Sequence, residues 1–222
     1  MSRFPGVEII ANVSTPREAR SLLDALEREA LSRSRAGARH LMRHRAVADF
    51  ATSPGMLALA RRFVGDSAIP FRATLFDKSV RSNWLVAWHQ DTALPLARRR
   101  ETPGWGPWST KGGIAYAHAP ADALARVIAL RFHFDDSRAE NGPLRVLPDT
   151  HDRGVLTDAE IAILSRDIAP VDCLVAAGGV IAMRPLAVHA SSKAESSAPR
   201  RVLHIEYADS LDLGQGLRLA PA

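Results

Sequence analysis

Residues 84–91 read Trp-Leu-Val-Ala-Trp-His-Gln-Asp. The apolar and aromatic run up to His89 predicts a strand over residues 84–89. His89 and Asp91 straddle Gln90 at a spacing of two, so both side chains project from one face where the strand ends, with Gln90 pointing away. A histidine and a carboxylate on one face offer two ligands to a metal and leave its far side open. Alone, a His-x-Asp pattern arises by chance in many chains, so its meaning depends on what the rest of the sequence supplies.

Further strands are predicted at residues 69–76, 127–134, 144–147, 171–176, 180–183 and 202–207. Asn141-Gly142-Pro143 and Gly178-Gly179 punctuate them, and one short helix interrupts them at residues 157–164. Helices dominate the earlier part. Thr15, Pro16 and Glu18 form a capping-box start, followed at helical spacing by Ala19, Leu22, Leu23, Leu26 and Ala30. A second helix opens at Ser53-Pro54, runs through Met56, Leu57, Leu59, Ala60 and Phe63, and stops at Gly65. Helices followed by many short strands predict a mainly β protein, an antiparallel sandwich or barrel with the N-terminal helices packed outside, rather than a parallel βαβ fold. There is no internal repeat and no low-complexity segment.

With 222 residues, 46% hydrophobic and 24% charged, the chain can bury one sizeable core. A single domain over residues 1–222 is expected, with a helical part at 1–66 and a β core at 67–210. The lone cysteine, Cys173, excludes an intrachain disulfide framework and a cysteine-based zinc site. No apolar run approaches the length of a membrane span, and the opening residues do not read as a signal peptide, so a cytoplasmic protein without a membrane partner is expected. A formal charge of +5 invites a nucleic-acid reading. However, Arg17, Arg20, Arg28, Arg33, Arg35, Arg39, Arg43 and Arg45 are scattered along helical sequence without stacking aromatics. A solvated arginine-rich face is favoured and a nucleic-acid partner is not expected.

Among the eight histidines, His40 and His44 are four apart on an expected helix with surface or packing roles. His118 sits in a loop, His133 reads as a hydrogen-bonded structural histidine on a strand, and His151 ends a turn. His189, in Pro185-Leu186-Ala187-Val188-His189, is placed to be the third ligand. Two histidines and a carboxylate make the facial triad that suits non-haem Fe(II) with three open positions. Arg200 follows eleven residues later, on the next strand, where a guanidinium can grip a carboxylate bidentately beyond the metal. His204 shares its parity with Arg200, which turns it toward the interior in a structural hydrogen bond.

Three ordered stretches, NWLVAWHQD (83–91), ENGPLRVLPDTH (140–151) and MRPLAVHASSKAESSAPRRVLHIEYA (183–208), resemble the motifs of the phytanoyl-CoA dioxygenase family of Fe(II)/2-oxoglutarate-dependent oxygenases. The resemblance runs from about Phe71 to Ala208. It implies a double-stranded β-helix of the jelly-roll, cupin-like kind, with iron held by His89, Asp91 and His189. It also implies 2-oxoglutarate held by Arg200 through its distal carboxylate, with further contacts from Ser191, Arg131 and Thr74. Arg131 departs from the tryptophan that some members carry there, and Asp149 stands where a glycine is common. The implied reaction consumes O2 and 2-oxoglutarate, releases succinate and CO2, and hydroxylates a small-molecule C–H bond. Related halogenases lack the carboxylate that Asp91 supplies.

Substrate choice is expected to reside in the connection at residues 92–119, a lid carrying Arg98-Arg99-Arg100, Trp105, Trp108, Lys111 and several glycines. Its functional reading is an aromatic and cationic clamp on an anionic or amphipathic small molecule; its plain reading is a surface loop with buried tryptophans. Two other functions stay open on residues alone. One is a nucleic-acid demethylase of the same superfamily, against which the eleven-residue His189 to Arg200 interval argues. The other is a non-catalytic metal-binding β-barrel, against which the intact set of ligands argues.

Overall fold

The structure, a computed structural model, describes residues 5–29, 31, 33–34, 37–79 and 82–222. Ala30, the side chain of Arg33, and Arg35 lie outside the described residues. Strand β1 (Val7–Ile10) precedes helix α1 (Pro16–Glu27). The predicted capping box forms, with the Thr15 hydroxyl accepting from the Glu18 N–H at 3.2 Å and Glu18 Oε2 accepting from the Thr15 N–H at 2.8 Å. Short strands β2 (Arg33–Ser34) and β3 (Gly37–Ala38) lead to α2 (Arg45–Ala51) and α3 (Pro54–Val64). Helix α2 was not legible in the sequence, since it is short and buries only Val47 and Ala51. The two histidines expected to share a helix instead flank a 3-10 turn, Leu41–Arg43. His40 adopts the left-handed conformation before a 3-10 turn, and His44 caps α2 and pairs with Glu29.

The β core follows as β4 (Ile69–Lys78), β5 (Val86–His89), β6 (Ala93–Leu96), β7 (Trp108–Lys111) and β8 (Ile114–His118). After the short helix α4 (Ala121–Ala125) come β9 (Val127–His133), β10 (Leu144–Val146), α5 (Asp158–Asp167), β11 (Val171–Cys173), β12 (Val180–Met183), β13 (His189–Ser191) and β14 (Arg200–Ala208). A final hairpin pairs β15 (Asp212–Gly214) with β16 (Leu217–Arg218). One sheet has the order β1-β12-β9-β14-β4-β3-β2 and the other β11-β10-β13-β5. From β4 onward the chain passes repeatedly between these two antiparallel sheets, which makes the fold a double-stranded β-helix, mainly β, with the N-terminal helices outside.

The large sheet has two unlike faces. Along β4, β9 and β14, Ala73, Leu75, Ile128, Leu130, Phe132, Leu203, Ile205 and Tyr207 point outward and are buried under the helices. They meet Leu23 and Leu26 of α1 and Met56 and Leu59 of α3, and each fully buried leucine adds about 2 kcal/mol. The alternate residues turn inward: Arg72, Thr74, Phe76 and Lys78 on β4, Arg131 and His133 on β9, and Arg200, His204 and Glu206 on β14. Strand pairing sets Arg72 opposite Glu206, Thr74 opposite His204, and Lys78 opposite Arg200, with Arg131 on the other side of His204. The barrel interior is therefore lined by polar residues on this side.

One strand was not expected and two sequence expectations changed in detail. Strand β13 has three residues, too few to show a period, yet it is the central partner joining β5 to β10. The 171–176 run shortens to Val171–Cys173. Residues 92–119 are not an irregular loop, because β6, β8 and β7 pair into a three-stranded antiparallel sheet that buries Leu94, Leu96, Tyr116 and Ala117. No helix among the described residues is long and apolar enough to cross a membrane.

Candidate active site

Strands β5 and β13 pair antiparallel with His89 directly opposite His189. That register brings together two residues one hundred positions apart, and Asp91, just past the end of β5, completes the group. Asp91 Oδ1 lies 3.7 Å from His89 Nε2 and Asp91 Oδ2 lies 3.5 Å from His189 Nε2. One ligand atom from each of the three residues falls within 4.8 Å of the others. Both imidazoles are held in the same way. His89 Nδ1 sits 2.9 Å from the Ala87 carbonyl and His189 Nδ1 2.9 Å from the Ala187 carbonyl. A carbonyl only accepts, so each Nδ1 carries the proton and each Nε2 lone pair faces the triad, the arrangement a metal-binding histidine needs.

Electrostatics favour the same state. Burial pushes the His189 pKa down to about 4, against the pull of Asp91, so the ring is neutral at physiological pH. Burial works against the Asp91 carboxylate, but His189, His204, His89 and Arg72 hold its pKa well below the usual carboxylate range. Gln90 is turned the other way and locked there. Its amide donates to the carbonyls of Gly154 and Leu186 at 2.9 and 2.8 Å, and its oxygen accepts from the Leu156 N–H at 2.8 Å. The residue between the two ligands thus fixes the end of β5 to the facing loops.

Two cavities flank Asp91. The first, about 100 Å³, contains the triad and runs to Lys78, Arg131, Ser191 and Arg200, with Trp84 and Val86 among its walls. Among the described residues Asp91 is the one carboxylate on its lining. Ser191 Oγ accepts from Lys78 Nζ at 2.8 Å and from Arg200 Nη2 at 3.3 Å, and donates to the Gly142 carbonyl at 2.9 Å. It therefore fastens the two cations to one wall. Lys78 Nζ also donates to the Ser192 carbonyl. Gly142 allows this approach, since at its φ of +67° an added Cβ would lie 2.5 Å from the Ser192 oxygen. Arg200 Nη1 and Arg131 Nε are buried without a hydrogen-bond partner among the described residues. Burial, together with Arg131 nearby, pushes Arg200 down to about 9, and burial with Arg200 and Arg131 pushes Lys78 down to about 8. Three buried cations with no ion pair among the described residues, two of them with an unused donor, form a receptor for a carboxylate.

The second cavity, about 260 Å³, lies on the other side of Asp91 and Phe76, which line both. Arg39, Arg72, Lys111 and Tyr116 line it along with Thr92, His118 and His204. Arg72 grips Glu206 with two nitrogens and donates to the Ala93 carbonyl at 2.8 Å. His204 Nδ1 is 2.9 Å from Arg131 Nη1, the interior hydrogen bond expected of it.

The sequence-derived candidates divide accordingly. His89, Asp91, His189, Arg200, Ser191 and Arg131 meet in the first cavity. Thr74 lines the second and not the first, because β4 runs from one cavity to the other and only its later residues, Phe76 and Lys78, reach the cationic end. Of the proposed substrate contacts, Lys111 alone lines the cavity beside Asp91. Trp105 packs against two apolar clusters that include Leu94 and Leu96, and Trp108 packs on the second of them. Arg98 lies in a separate groove with Asp212 and Arg218. Both tryptophans are partly buried in these clusters. His118 ends β8 and pairs with Thr92 Oγ1 at 2.7 Å. His133 corrects a reading, since it is buried with neither ring nitrogen hydrogen-bonded among the described residues. Asp149 takes the left-handed φ of +58° that explains why a glycine suits its position. Lys78 was missed, although its parity with Phe76 on a ten-residue strand was a usable signal.

A family profile described as "Phytanoyl-CoA dioxygenase (PhyH)" matches residues 8–202. No curated protein matches the chain in sequence. Among solved structures, AviO1 from Streptomyces viridochromogenes Tue57 is similar with a TM-score of 0.68 and 22% identity, covering 96% of this chain and 92% of that one. EctD from S. alaskensis, solved with 2-oxoglutarate and 5-hydroxyectoine, gives 0.69 and 17% over 92% and 72%. SnoK, a non-haem α-ketoglutarate-dependent carbocyclase from nogalamycin biosynthesis, gives 0.70 and 15% over 98% and 83%. At these identities the likenesses speak for the fold.

Proposed function

The chain belongs to the phytanoyl-CoA dioxygenase family of non-haem iron, 2-oxoglutarate-dependent oxygenases, and from that premise we propose that it hydroxylates a C–H bond of a small molecule. The observation that carries this reading is the first cavity, where a triad of metal-binding geometry and three buried cations with no ion pair among the described residues share one small space. The donor set fits the implied groups: two neutral imidazole nitrogens and one carboxylate suit Fe(II), and the spare Arg200 nitrogen suits a carboxylate.

In this reading His89, Asp91 and His189 hold the iron, while Arg200 and Lys78 hold the distal carboxylate of 2-oxoglutarate. Bound there, Fe(II) and 2-oxoglutarate supply the oxidising power, with O2 consumed and succinate and CO2 released. The chain's own residues orient and enclose. Ser191 keeps Lys78 and Arg200 side by side, Gln90 fixes the Asp91 end of β5, and Phe76 with Asp91 divides the cosubstrate cavity from the one beyond. Arg131 stands within the cosubstrate cavity and ties it to His204, while Thr74, opposite His204, belongs to the far side. Retention of the Asp91 carboxylate supports hydroxylation over halogenation, since a halide would need that position.

The test is spectroscopic. Protein loaded with Fe(II) and 2-oxoglutarate without oxygen is expected to show a weak visible metal-to-ligand charge-transfer band. Its absence from folded, iron-loaded protein overturns the oxygenase reading. With a substrate in hand, incorporation of an oxygen atom from labelled O2 into the product checks hydroxylation itself.

A further inference from the structure

The second cavity carries two cations with no ion pair among the described residues. Arg72 is neutralised by Glu206, and His118 and His204 are engaged with Thr92 and Arg131. Arg39 and Lys111 remain, and neither has a carboxylate within ion-pair distance among the described residues. They come from distant parts of the chain. Arg39 follows β3, and Lys111 ends β7 at the tip of the β7–β8 hairpin.

Their convergence is built into the fold. His40 Nε2 lies 3.1 Å from the Tyr116 hydroxyl, which joins the Arg39 segment to β8. The hairpin turn rests on the same histidine, since a Cβ on Gly112, whose φ is +55°, would lie 2.7 Å from the His40 ring. Lys111 Nζ sits 4.9 Å from the centre of the Tyr116 ring. Burial and the fields of Arg39 and Arg72 lower the Lys111 pKa, the mark of a cation held among like charges. These contacts leave two exposed cations, Arg39 and Lys111, lining one recess, where an anion can join both.

We propose that this recess binds the carboxylate or phosphate of the substrate, Arg39 and Lys111 gripping the anion so that the rest of the molecule extends toward Asp91. The substrate class is thus a small anionic organic molecule. This rests on the oxygenase reading above and adds to it which end of the substrate is recognised and by which residues. Arg39, Lys111 and Tyr116 are specificity residues, distinct from the cations of the cosubstrate cavity.

The experiment uses protein loaded with Fe(II) and saturating 2-oxoglutarate, without oxygen, so that the first cavity is filled. Acetate, benzoate and phenyl phosphate are titrated by calorimetry beside the neutral control benzamide. At least one anion is expected to bind at a single site, with benzamide at least tenfold weaker. The carboxylate and phosphate arms show which anion the recess prefers. Lys111→Met and Arg39→Met should each weaken the anion about tenfold, Lys111→Arg should restore it, and the 2-oxoglutarate affinity should stay unchanged in all three. Equal binding of benzamide, anion affinity indifferent to both variants, or no anion binding while the charge-transfer band is intact would overturn the proposal. Loss of the band itself would instead overturn the oxygenase reading.

Discussion

The cavities on either side of Asp91 and Phe76 are both rich in cations, and they differ in what fixes those cations. In the first, Lys78 and Arg200 are buried on adjacent strands of one sheet and fastened to the same serine hydroxyl. In the second, Arg72 already has its carboxylate, and the free charges Arg39 and Lys111 sit on peripheral segments brought together by His40, Gly112 and Tyr116. A rigid, enclosed receptor suits a cosubstrate common to a whole family. A receptor assembled from a hairpin and an N-terminal segment can vary in sequence without disturbing the sheet that carries the metal ligands.

The comparison breaks most completely at the residue both cavities share. Asp91→Ala is expected to abolish the charge-transfer band and all succinate formation, and His189→Ala to do the same, since two ligands leave the metal weakly held. Iron content after desalting checks the cause. Arg200→Ala leaves the triad in place but removes the guanidinium, one of whose donors is unused, from the first cavity. It should raise the 2-oxoglutarate Kd by roughly 100-fold, about 3 kcal/mol, as for loss of a buried ionic partner, measured by titrating the band.

Lys78→Met should weaken 2-oxoglutarate less, by roughly tenfold at pH 7, and it carries a pH signature. The free Lys78 ammonium has its pKa lowered to about 8 by burial and by Arg200 and Arg131. Below that value the cation is present and attracts the carboxylate. As pH rises through it the free enzyme loses the charge and cosubstrate affinity falls. The wild-type Kd should therefore begin to rise around pH 8, and in Lys78→Met the rise should be displaced toward pH 9, where Arg200 loses its charge. Lys111→Met is expected to leave that profile untouched and alter only the anion site beyond Asp91.

The smallest expected effect lies on the opposite face of the same sheet. Tyr207 is buried there and donates to the Ala51 carbonyl at 2.9 Å. Tyr207→Phe should cost about 1 kcal/mol of stability, read as a lower thermal midpoint, with both ligand affinities unchanged.

Much of the fold was legible because period-2 patterning marks strands whose two faces meet different surroundings, as on β4, β9 and β14. The helix starts at Thr15 and Thr157 were legible because a capping box is a local device that needs only four consecutive residues. Strands β6, β7 and β8 were not read, since two-sided and partly exposed strands between glycines lack that alternation. His133 reads in sequence like any strand histidine, and only its surroundings show that it has no hydrogen-bond partner among the described residues.

By itself the sequence determined that His89 and Asp91 share a face, that His189 and Arg200 follow in order, and that the chain is mainly β with helices outside. Each of these follows from spacing along one backbone, where geometry is fixed by the residue repeat. Tertiary structure alone decided that His189 pairs with His89, that Lys78 joins Arg200 at Ser191, and that Arg39 and Lys111 line one cavity. Those meetings depend on which strands pair, in which register, and on where a hairpin comes to rest.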